Sequence, residues 1–168
     1  MNLLFDFTVD KAAATIHVTR EFAADLDLVW DAWTKAEILD IWWAPKPCRA
    51  ITKKMDFREG GHWLYEMNCP PQYGSTWCLV NYIKIEAKSS FTTESIFSDE
   101  NGNPIDFVVP GSKWNNFFKA SAGKTTVEVV IKHENLANLE KFIEKGFKEG
   151  FTMAMGNLDE YLLTKSKK

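Results

Sequence analysis

The C-terminal stretch limits what this chain can fold into more than any other part. Between Leu136 and Leu163, the residues Leu139, Ile143, Phe147, Gly150, Phe151, Ala154, Leu158 and Tyr161 share one face at helical spacing. That spacing predicts one long amphipathic helix. A helix with a single apolar stripe must bury it against another layer. Gly146, Gly150 and Gly156 lie inside the stretch, and each costs about 1 kcal/mol of helix propensity against alanine. On or near the inner face, Gly146 and Gly150 let another element or a ligand come close.

The layer that receives this helix is written in a different period. Leu3, Phe5, Phe7 and Val9 alternate with other residues, and Ile16, Val18, Arg20 and Phe22 begin a second alternation after the turn "DKAAAT". These predict an N-terminal hairpin. Asp25 is placed to cap a short helix in which Leu26, Val29, Trp30 and Trp33 recur at helical spacing. A second short helix, about Ala36 to Ile41, stops at "WWAPKP", where proline forbids continuation. From about Arg49 to Ile131 the chain reads as strands separated by turn signals, among them "REGG", "CPPQYGS", "AKSS", "SDENGNP" and "SAGK". Within "HWLYEMN", Trp63, Tyr65 and Met67 take one face, while His62, Leu64, Glu66 and Asn68 take the other.

The predicted fold is therefore α+β. A curved antiparallel sheet of about six or seven strands grips one long C-terminal helix, with two short helices inserted after the second strand. All 168 residues are read as one domain with a basic tail at 164–168. A strongly curved sheet and a single helix do not fill the space between them, and an apolar pocket is expected there.

"DIWWAPKP" sets two indoles side by side. Adjacent residues on a helix or a strand point in different directions, so both cannot be ordinary core residues of one regular element. Trp42 continues the Ile38–Leu39 face and is expected to turn inward. Trp43 is expected to cover the helix–strand junction.

Composition removes several function classes. The formal net charge is −3, and the basic run Lys165, Lys167, Lys168 is read as a solvated end, so nucleic-acid binding is not expected. No run approaches the roughly 18 apolar residues of a membrane span. The N-terminus lacks the basic region of a signal peptide. Cys48, Cys69 and Cys78 are odd in number and lack C-x-x-C spacing. That argues against a disulfide framework or a zinc site and predicts a reducing, cytoplasmic setting. His17, His62 and His133 are scattered, and His62 and Glu66 on one strand lie roughly 13 Å apart, so no metal site is expected. "REGG" and "SAGKT" are hairpin turns that do not match a phosphate-binding loop. No nucleophile elbow is present, and no cofactor or catalytic residue is assigned. Glu66, Glu94, Asp106 and Glu128 are the carboxylates to watch, since one facing the cavity would have its pKa raised into the range of a proton carrier.

Four stretches in order resemble a known family: "TREFAADLDLVWDAWT" (19–34), "WWAPKP" (42–47), "MDFREGGHW" (55–63) and "GFKEGFTMAMGNLDEYL" (146–162). They are similar to homologues of the activator of heat shock protein 90 ATPase, within the START-like (SRPBCC) helix-grip superfamily. The likeness covers about 16–163, and residues 1–15 add a strand. The resemblance implies a helix-grip domain with an apolar cavity, and fold alone does not fix function. The preferred reading is binding of a hydrophobic or aromatic small molecule or lipid. The walls would come from Trp30, Trp42, Trp43, Met55, Trp63, Tyr65, Met67, Phe147, Phe151 and Leu158. Met55, Met67, Met153 and Met155 would make them adaptable. A stress-related co-chaperone or homodimeric interaction module is the alternative. The co-chaperones that name the family carry a separate N-terminal docking domain, and none is expected within these residues. A cyclase or isomerase using a cavity carboxylate is the third reading.

Overall fold

The computed structural model describes residues 3–72, 74–105 and 111–166. The elements run β1 (Phe5–Asp10), β2 (Thr15–Phe22), α1 (Leu26–Thr34), α2 (Ala36–Trp42), β3 (Arg49–Met55), β4 (His62–Asn68), β5 (Thr76–Glu86) and β6 (Ser90–Ser98). They continue with β7 (Ser112–Ser121), β8 (Lys124–Lys132), α3 (Leu136–Glu144) and α4 (Phe147–Ser166). Asp106 lies outside the described residues.

All eight strands form one antiparallel sheet in the order β1-β2-β8-β7-β6-β5-β4-β3. The α+β class holds, with eight strands rather than six or seven. The N-terminal hairpin adds β1 at the sheet edge, and β2 pairs with β8, which brings the two chain halves into one ladder. Register shifts at Thr52/Lys54 and at Tyr82/Lys84 add a residue to one strand, which bends the sheet locally. The curved sheet wraps the helices, and its concave face carries the core.

That core is apolar by strand alternation. Ile16, Val18, Val127, Val129 and Ile131 on β2 and β8 are buried, and so are Phe22, Val29, Leu39 and Trp42. Asp25 caps α1 as expected, its carboxylate accepting from the Leu28 N–H. Asn135 does the same for α3 through Asn138.

Three expectations change. The C-terminal helix is two helices, because Gly146 takes φ +91°, a left-handed conformation that ends α3 and redirects the chain into α4. Sequence periodicity runs on through Gly146 because the apolar stripe continues on both sides of the break. Cys48 and Cys69 form a disulfide, where no disulfide was expected. The β3–β4 hairpin explains it: Arg49 pairs with Asn68, so the next positions outward face each other although they lie 21 residues apart. Finally, both indoles of "DIWWAPKP" face the interior. α2 ends at Trp42, and Trp43 continues its last turn with helical backbone and an N–H to the Leu39 carbonyl, so that the two rings meet edge to face at 5.3 Å between centroids. Among the described residues no helix is long and apolar enough to cross a membrane.

Candidate functional site

A cavity of about 290 Å³ opens between the sheet and the α3–α4 break. Its floor is made by register. Ser95 on β6 pairs with Val80 on β5 and with Ser112 on β7, and Cys78 on β5 pairs with Tyr65 and Phe97. Residues directly opposite in a ladder share a face. Three small side chains, Cys78, Ser95 and Ser112, therefore meet on neighbouring strands where the rest of the face carries rings and branched chains. The hollow sits above them.

The roof comes from Trp43 and Pro45 after α2, and from Phe142, Phe147 and Phe151 across the helix break. A Cβ added at Gly150 would meet Pro45 at 3.5 Å, an ordinary contact, so Pro45 lies directly over this turn of α4. Two contacts hold the roof. The Asn157 amide on α4 donates to the carbonyls of Ala44 (3.0 Å) and Trp42 (3.4 Å). The Trp42 indole donates to the Ala32 carbonyl at 2.8 Å.

The polar groups of the cavity are few. The Trp43 Nε1–H donates to the Tyr65 hydroxyl at 2.8 Å, and the Trp114 Nε1–H donates to the Ser112 hydroxyl at 2.9 Å. Burial raises the pKa of Tyr65 well above the usual phenol value, with Cys78 adding to the rise and the Trp43 hydrogen bond opposing it. Burial also pushes the Cys78 thiol up to about 11, against a hydrogen bond with Tyr65 that lowers it. Both groups stay neutral at physiological pH, so the thiol is a poor nucleophile. Lys145 stands exposed at the rim.

Of the sequence-predicted wall residues, Trp43, Tyr65, Met67, Phe147 and Phe151 line this cavity. Trp63 stacks on Tyr65 and lines a smaller chamber of about 30 Å³ behind Trp43 and Trp114. Trp30, Trp42 and Leu158 are buried in solid core, and Met55 packs against that core. None of these four lines the cavity. Trp30 is enclosed by Phe57, Phe91 and Phe118. Sequence reasoning missed Pro45, Cys78, Ser95, Ser112, Trp114 and Phe142. The only signal for the small ones is cross-strand register, which a single strand does not carry.

No carboxylate lines the cavity among the described residues. Glu94 and Glu128 are exposed, and Glu66 is half-buried outside the cavity lining. Among the described residues Asp159 is the carboxyl raised by burial, and it pairs with Arg20, which opposes the rise. Among the described residues no group of three metal-binding side chains gathers. The arrangement can exclude water from an apolar body and donate neutral hydrogen bonds.

Comparison with known proteins agrees with this architecture. Residues 23–163 match the family model described as Activator of Hsp90 ATPase homolog 1-like protein. Protein Ms6760 from Mycobacterium smegmatis is 25% identical, with a TM-score of 0.86 over 96% of this chain and 97% of that one. A protein from Arthrobacter aurescens is 24% identical, also with a TM-score of 0.86, over 95% and 91%. CalU16 from Micromonospora echinospora shares the fold at 16% identity and a TM-score of 0.61, over 96% and 87%. No curated protein matches the chain.

Proposed function

The chain belongs to the Activator of Hsp90 ATPase homolog 1-like family, and from that premise we propose that it binds a hydrophobic or aromatic small molecule. The observation that carries the reading is the apolar cavity of about 290 Å³ between the sheet and the helix break. Ligand pockets run from about 300 to 1,000 Å³. The volume favours a compact ring system over a long-chain lipid. Removing about 500 Å² of combined apolar surface from water contributes about 12 kcal/mol at ~25 cal/mol per Å². After an association cost of at least about 4 kcal/mol, the remainder corresponds to roughly micromolar affinity.

A titration followed by tryptophan fluorescence, over a panel of aromatic and lipid probes, tests the reading. Saturable binding is expected for compact aromatics. Ser95→Leu fills the floor and is expected to weaken it at least tenfold without lowering the melting temperature. Undiminished binding to that variant would place the ligand elsewhere and end the reading. The family match supports a second reading, stimulation of a chaperone ATPase. An ATPase assay decides it: no stimulation at saturating protein removes it.

A further inference from the structure

The hydrogen-bonding groups around the cavity are unbalanced. Tyr65 and Ser112 each accept an indole N–H. A hydroxyl that accepts still has its own proton to give. The Tyr65 proton has the Cys78 sulfur beside it, a weak acceptor. Ser95, opposite Ser112 in the ladder, adds a third hydroxyl, and the Lys145 ammonium at the rim is donor-only. Against these stand no carboxylate and no imidazole among the described lining residues. The floor therefore offers O–H protons that the protein does not match with strong acceptors.

Resting on the cavity-binding reading, we infer that the ligand is an aromatic molecule bearing a neutral carbonyl, seated with its oxygen towards Ser95 and Ser112, which face each other across β6 and β7. A carbonyl oxygen brings two lone pairs and no proton, so one atom takes both donors. A carboxylate is disfavoured at this depth. The floor lies among buried Tyr65, Trp114 and Phe151, and a buried charge needs a charged partner, which Lys145 at the rim does not supply there. An apolar molecule without an oxygen fills the same space but leaves the hydroxyl protons unmatched.

A matched pair of probes separates this inference from the broader reading. Acetylnaphthalene carries a carbonyl where isopropenylnaphthalene carries a C=CH2 group of nearly the same shape. The wild-type protein is expected to bind the ketone about five- to tenfold tighter. In Ser112→Ala that ratio is expected to fall towards one while the hydrocarbon still binds, which shows that the cavity survives the substitution. Ser95→Ala is expected to lower the ratio partly. Without any substitution, the infrared carbonyl stretch of the bound ketone is expected at lower frequency than in an apolar solvent. Equal affinity for the two probes with an unshifted stretch overturns the inference and leaves the cavity reading intact. Failure of both probes to bind overturns both.

Discussion

Around Trp42 the interior is solid, and around Trp43, the next residue, it is hollow, although both regions are built from large apolar side chains. Trp42 is fully buried and packs on Trp33 at 5.0 Å between ring centroids, and its N–H is spent on a backbone carbonyl. Trp43 contacts Trp33, Trp63, Trp114 and Phe151, and its N–H goes to a side-chain hydroxyl. Around Trp42 the space is filled by Trp33, Trp43 and the α4 residue Asn157. The cavity that Trp43 lines has a thiol and two serines on its sheet side. Hollowness here comes from what is small on the facing strands, not from the aromatic residues that frame it.

The widest test of this contrast substitutes each indole. Trp42→Ala is expected to cost about 4 kcal/mol, because a fully packed site loses a large ring and leaves a cavity. Trp43→Ala is expected to cost about half as much in a chemical denaturation curve, and to abolish probe binding. Equal losses of stability would mean that the two regions are packed alike.

A smaller effect contrasts two glycines of the roof. Gly146→Ala is expected to cost about 1 kcal/mol, since its φ of +91° is strained for any side chain although no atom blocks the Cβ. Gly150→Ala is expected to be neutral or to gain up to about 1 kcal/mol in helix propensity. Its Cβ makes an ordinary contact with Pro45. Thermal melts of the two variants that shift in the same direction would contradict the helix break.

The smallest effect concerns a neighbour of the roof residue Phe142. His133 is buried against Phe142, and neither ring nitrogen has a hydrogen-bond partner. Burial lowers its pKa, with the Ala14 backbone opposing. The unfolded chain then holds more protons than the folded one just below the ordinary value of 6.5. This contribution to stability is present above that value and is lost as pH falls through the lowered pKa. Stability is expected to drop on acidification from pH about 7, and His133→Phe is expected to flatten that part of the curve. An unchanged profile in the variant would remove His133 as the cause.

The fold was legible because period carries it. Alternation in β2 and β4, the Asp25 cap and the helical spacing from Leu139 to Tyr161 each specify an element locally. The site was legible only where a residue faces inward by its own element's pattern, as Tyr65 and Met67 do. Ser95 and Ser112 became neighbours through strand pairing, and Cys48 reached Cys69 through a hairpin. Those relations belong to the assembled sheet. Leu158 shows the converse: it is on the inner face as its spacing says, yet it packs on core, because the cavity occupies only the N-terminal end of α4.

The indoles have an optical consequence. Trp33, Trp42 and Trp43 are within 6.1 Å of one another, and Trp43 lies 5.7 Å from Trp63 and 5.9 Å from Trp114. Transition dipoles this close exchange excitation faster than they emit. Five chromophores of the seven thus behave as one antenna with Trp43 at its hub. A molecule that quenches Trp43 drains all five, and the protein carries its own gauge of whether the hollow is filled.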